Sequence, residues 1–105
     1  MNAIGTERAS TASHMDNQLA RSALGVAGNY RGACRARSHK EFTARLDVVL
    51  EEADEAELWL EVAADRSVGN QLKREWLLDE SRQLRAIFSK GCSTARSREH
   101  FGARR

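Results

Sequence analysis

Three histidines and two cysteines carry most of the metal-binding and nucleophilic chemistry this chain could offer, and their spacing argues against both. His14, His39 and His100 fall far apart, and no pair has the i, i+4 spacing that turns two imidazoles toward one metal on a helix face. Cys34 and Cys92 have no CxxC or Cys/His spacing, so reduced thiols and a cytoplasmic setting are the default. Cys34 lies beside a run of small residues and reads as a packed small side chain rather than a reactive thiol. Carboxylates are plentiful at Glu51, Glu52, Asp54, Glu55 and Glu57. A di-iron centre in a bundle core wants Glu-x-x-His on two helices, and the sequence has none. Nor is there a nucleophile elbow, a phosphate loop or a dinucleotide fingerprint. No catalytic residue, cofactor or metal is expected, and the chain does not read as an enzyme.

The arginines offer a second chemistry. Arg31, Arg35 and Arg37 crowd the stretch NYRGACRARSHKEF at 29–42, and Arg96, Arg98, Arg104 and Arg105 gather near the C-terminus. Such side chains can hold RNA or DNA phosphates in a sequence-blind, salt-sensitive way. No aromatic-interleaved basic patch or base-reading motif accompanies them. Charge along the chain supplies a competing role. Residues 16–40 carry a net +4, residues 41–65 a net −8 and residues 66–105 a net +6. An acidic helix between two basic ones would neutralise both, so Glu51, Glu52 and Glu55 are expected to pair with Arg31, Arg35 and Arg37. Each exposed pair is worth only about 0–1 kcal/mol, but together such pairs can fix which helix faces which.

The elements that would position these groups are helices. The chain has 105 residues, no proline and few β-branched residues, which suits one small all-α domain. A first helix is predicted from Asp16 to Arg37, with Leu19, Ala23, Val26, Tyr30 and Ala33 as its apolar stripe. Gly25, Gly28 and Gly32 sit inside it at a cost of about 0.5–1 kcal/mol each. With Ser22, Ala27, Ala33 and Ala36 they form a small-residue surface that another backbone could approach closely. A second helix opens at Ser38, where Ser38 and Glu41 make a capping box, and runs to about Arg66. Phe42, Leu46, Val49, Ala53, Ala56, Leu60 and Ala63 give it a bundle seam. Val48, Leu58, Trp59 and Val62 lie off that seam, so Trp59 is either core against a third helix or an anchor at a subunit contact. A third helix is predicted from Asn70 to Lys90, with Leu72, Trp76, Leu77, Leu84, Ile87 and Phe88 apolar and Gly91 as its stop. Residues 92–105 read as a basic, frayed tail. No stretch has the length of apolar residues that spans a bilayer.

Taken together, QLARSALGVAGNYRGACRARS, then KEF, then EEADEAELWLE and the late L-x-x-IF resemble the four helix bundle proteins also called 23S rRNA intervening-sequence proteins. The resemblance covers Gln18 to Phe88. Asn29, Arg37, Ser38, Glu41 and Phe42 match the family's pattern, while Gly32 and Ala33 replace its Glu-Gly pair. It implies an antiparallel up-and-down helix bundle that assembles as a homo-oligomer, a ring of five in some members, with no catalytic residue. A relative, the accessory variability determinant of diversity-generating retroelements, is a basic pentamer that partners nucleic acid. The family places an amphipathic helix before the segment that begins at Gln18. Residues 1–15 offer only Ala3, Ile4, Ala9, Ala12 and Met15, so that helix is expected to be degenerate or missing.

The resulting expectation is a non-enzymatic scaffold: a degenerate or poorly ordered segment 1–15, a bundle domain 16–91 and a tail 92–105. Its oligomer contacts would be Gly25, Gly28, Gly32, Trp59 and Trp76. The alternative is an RNA- or DNA-associated accessory protein using Arg31, Arg35, Arg37, Arg96 and Arg98. A core this small is expected to be marginal as a monomer.

Overall fold

The computed structural model describes the backbone of residues 3–103 and the side chains of residues 11–98. The described residues form three α-helices, α1 (Ala3–Cys34), α2 (His39–Asp65) and α3 (Gln71–Ala103), and no strand. Both outer helices are longer than the sequence patterns predict. The segment up to residue 15 is not a separate element, because α1 begins at Ala3 and continues through it. Nor does Gly91 end α3, which runs through the expected tail to Ala103. The physical reason is packing. Cys92 and Ala95, one and four residues past the expected stop, are buried against α2, and with no proline nothing forbids the helix from continuing. Arg104 and Arg105 lie outside the described residues.

The two short connections are closed by local hydrogen bonds. Ser38 stands in extended backbone before α2 and its hydroxyl accepts from the Glu41 N–H at 3.0 Å. The Glu41 carboxylate reaches back past Ser38 to accept from the Arg37 N–H at 3.0 Å. The capping box is thus real in its first half and displaced by one residue in its second. After α2 the chain turns through Ser67 and Gly69, both with positive φ (53° and 75°). Arg74 clamps that turn by donating to the Val68 and Gly69 carbonyls at 2.7 and 2.8 Å. Asn70 caps α3 through its side-chain oxygen, which accepts from the Lys73 N–H at 3.0 Å.

Helix α2 lies between the other two. His14, Gly25 and Gly32 of α1 meet Trp59, Glu52 and Arg45 of α2, in opposite chain order. Glu57 and Asp47 of α2 meet Arg82 and Arg96 of α3, again in opposite order. The predicted α2 seam is the core: Leu46, Val49, Ala53 and Leu60 are buried. The α1 stripe is shifted. Met15, Ser22 and Ala33 are buried, while Ala23 and Tyr30, both predicted on the buried stripe, are exposed. Small side chains at the contact let α2 come close to α1, so Ser22 is preferred there over bulkier apolar neighbours.

Among the described residues no Cα atom of α1 comes within 8 Å of one in α3. The two helices meet through side chains, with the Tyr30 and Phe88 rings 5.9 Å apart. The α2 seam beneath them is closed, because Val26 of α1 and Phe88 of α3 both pack on the cluster that holds Leu46 and Val49.

Candidate functional site

Acidic α2 is neutralised from one side. Asp47, Asp54, Glu57 and Glu61 recur at spacings of seven, three and four, which puts them on one face. Arg82 of α3 reaches Glu57 at 3.3 Å and Glu61 at 3.5 Å. Arg85 binds Glu57 and lies 3.9 Å from Asp54. Arg96 donates to Asp47 at 2.7 Å. Glu57 is the buried member, only 7% exposed. The Glu57 carboxylate raises the Arg85 pKa, chiefly through their hydrogen bond. Asp54, Glu57 and Glu61 line an open cleft of about 470 Å³ with Glu51, Glu55, Leu58 and Arg85.

The expected pairing with α1 does not form. Among the described residues, Arg31, Arg35 and Arg37 make no ion pair, and neither do Glu51, Glu52 and Glu55. Glu51 and Glu55 are exposed along the cleft that Arg85 also lines, and Glu52 turns its carboxylate over Gly25. The basic partner is α3. A signal for it was present in the sequence, since Arg82, Arg85 and Arg96 share one helical face as the four acids do.

The predicted nucleic-acid residues divide. Arg96 is engaged with Asp47 on α3 and not carried by a frayed tail. Arg31, Arg35 and Arg37 are exposed where α1 gives way to α2. At the same end, His39 donates from Nε2 to the Ala95 carbonyl at 2.7 Å. Phe42, Leu46, Ile87, Lys90, Gly91, Thr94, Ala95 and Arg98 join it around a mostly apolar pocket of about 430 Å³.

The predicted small-residue contact is largely taken up inside the chain. A Cβ at Gly25 would lie 2.7 Å from the Glu52 carboxyl group, and one at Gly32 would lie 2.6 Å from the Arg45 guanidinium. Gly28 faces open space. Trp59 is half-buried, stacked edge-on against His14 at 5.8 Å, so it is mainly an α1–α2 contact. Trp76 is the opposite case at 63% exposure. It stands among exposed Leu72 (77%), Leu84 and Ile87 (64%) on α3. Leu24, Val48 and Leu58 add exposed apolar groups elsewhere.

Among the described residues no three His, Cys, Asp or Glu side chains converge on a point where a metal could bind. Both cysteines are free; Cys34 is exposed and Cys92 is buried. Burial, and then the Asp47 carboxylate, push the Cys92 thiol pKa up, which keeps it protonated and inert. Cys34 in turn raises the Tyr30 pKa through a side-chain hydrogen bond. No helix among the described residues is long and apolar enough to cross a membrane. No protein-family model, curated protein or solved structure matches the chain.

Proposed function

We propose that this protein is a non-enzymatic helical scaffold that self-assembles in the cytoplasm, of the kind the 23S rRNA intervening-sequence resemblance implies. In this reading its helices are three members of an antiparallel up-and-down bundle. The observation that carries it is the exposed apolar stripe of α3, where Trp76, Leu84 and Ile87 stand in water. A three-helix unit that left this stripe exposed would forgo roughly 25 cal/mol for each Å² of apolar surface it could bury. Assembly recovers that energy. The resemblance implies five copies. Light scattering on the size-fractionated protein, with thermal melts from about 1 to 100 µM, tests the reading. An oligomer whose melting temperature rises with concentration is expected; a monomer with a concentration-independent melt rejects it.

A second reading has its own observation. Arg31, Arg35 and Arg37 form no ion pair among the described residues, and Lys90 and Arg98 flank a pocket at the same end. This is an end where RNA or DNA phosphates would be held, as in an accessory protein resembling the variability determinant of diversity-generating retroelements. Filter binding to structured RNA across a salt series decides it. Affinity should fall steeply with salt and again in the Arg31→Ala, Arg35→Ala, Arg37→Ala protein, whose melt should be unchanged. No binding at low salt rejects this reading.

A further inference from the structure

The exposed stripe of α3 has a shape that fits itself. Leu72, Trp76, Glu80, Leu84, Ile87, Gly91, Thr94 and Arg98 recur at spacings of three and four along one helical face. Toward one end of that face stands a projecting indole, Trp76. Toward the other lies the pocket of about 430 Å³, floored by Phe42 and Leu46 of α2 and walled by Ile87, Gly91 and Thr94. Knob and hole are 15 residues apart, about 22 Å along the helix.

We propose that the occupant of this face is the α3 helix of a second copy, crossing antiparallel so that each Trp76 enters the other copy's pocket at Gly91. Four features favour it. The indole is smaller than the pocket, and Gly91 puts no side chain over Leu46, which a Cβ there would meet at 3.5 Å. The rim carries Lys90 and Arg98, cations that can lie against the indole face. The register that sets Trp76 opposite Gly91 brings Glu80 within one turn of the partner's Lys90, an attraction, and places Leu84 beside its own copy near the two-fold axis. Last, Leu72 and Ile87 of the same face stand 77% and 64% exposed and would be covered with Trp76. An interface in which one patch serves both partners closes at two copies. This rests on the self-assembly reading, names its contact, and departs from the five copies implied by resemblance.

Position-specific cross-linking tests it. In a Cys34→Ser background, Lys73→Cys and Thr94→Cys proteins are made separately; both positions are exposed, and the register sets them opposite each other. Under mild oxidation the mixture should give a disulfide-linked dimer, and each variant alone should give little. Independently, Trp76→Ala should raise the dimer dissociation constant by at least roughly 30-fold, the scale of a buried tryptophan anchor, with an unchanged far-ultraviolet spectrum. If the wild type assembles but Trp76→Ala assembles as well, or Lys73→Cys cross-links to itself as readily as to Thr94→Cys, this contact is wrong and the scaffold reading stands. A wild-type protein that stays monomeric at about 100 µM overturns both.

Discussion

Arg85 of α3 binds the carboxylate of Glu57 of α2, and this contact sits where acidic α2 meets the basic helix after it. Arg82 shares the same carboxylate at 3.3 Å. Glu57 is buried while both arginines keep part of their surface in water. The pair therefore avoids much of the desolvation cost of a fully buried ion pair and still joins two helices.

Glu57→Gln should lower stability by about 1–3 kcal/mol, the range for hydrogen bonds to charged groups. Glu61→Gln should cost less than about 0.5 kcal/mol, because Glu61 has a single longer contact to Arg82 near solvent. Urea denaturation of the two variants at fixed protein concentration checks the contrast. Equal losses would mean that burial of Glu57 contributes nothing.

This α2–α3 contact also marks what the sequence made legible. The α2 seam was readable because Leu46, Val49, Ala53 and Leu60 are apolar at the spacing that one buried face demands. The start at Ser38 was readable because a cap is a local matter of a few residues. The partner of the acidic face was not, since α1 and α3 are both basic and composition cannot choose between them. Side-chain direction could: Asp47, Asp54, Glu57 and Glu61 share the face of α2 that meets Arg82, Arg85 and Arg96, while Glu52 turns toward Gly25 of α1. The ends of α1 and α3 were missed because tertiary burial of Cys92 and Ala95 overrides the weak local preference of Gly91. The exposure of the α3 stripe followed from no single pattern, since Leu72, Trp76, Leu84 and Ile87 are apolar at the spacing that predicts burial and only the arrangement of the three helices leaves them in water.

Ser22 carries a local conflict. It is fully buried at the α1–α2 contact, and its hydroxyl has no hydrogen-bond partner. An unpaired buried hydroxyl costs about 1–3 kcal/mol by mutational measures, and alanine is the better helix former. Ser22→Ala should therefore stabilise the protein by about 1 kcal/mol, seen as a higher urea midpoint with unchanged slope. A clear loss of stability would show that the hydroxyl has a role in packing.

The two thiols should behave as opposites. Cys34 is exposed, while the Cys92 thiol is buried, donates to the Leu46 carbonyl at 3.5 Å and has a raised pKa. A disulfide-exchange reagent at pH 8 should titrate one thiol in the native protein and two in denaturant. Cys34→Ser should abolish the fast phase and leave the denatured one. Rapid reaction of Cys92 without denaturant would mean that α3 opens locally near the pocket.

The α2 cap gives a pH signature with a defined sign. Glu41 is held below the ordinary carboxylate range, first by the Arg37 N–H and then by the Arg45 guanidinium at 3.2 Å. Its folded pKa lies under its unfolded value of about 4.3. The stability it adds is complete above that value and disappears as pH falls through the folded pKa. Between pH 7 and pH 3 the urea midpoint of the wild type should drop, and in Glu41→Gln it should drop less steeply because one linked carboxylate is gone. Ser38→Ala removes the hydroxyl that accepts from the Glu41 N–H. It should cost about 1 kcal/mol across the whole range and leave the slope unchanged. If Glu41→Gln keeps the full wild-type slope, Glu41 is not the group that couples this helix start to pH.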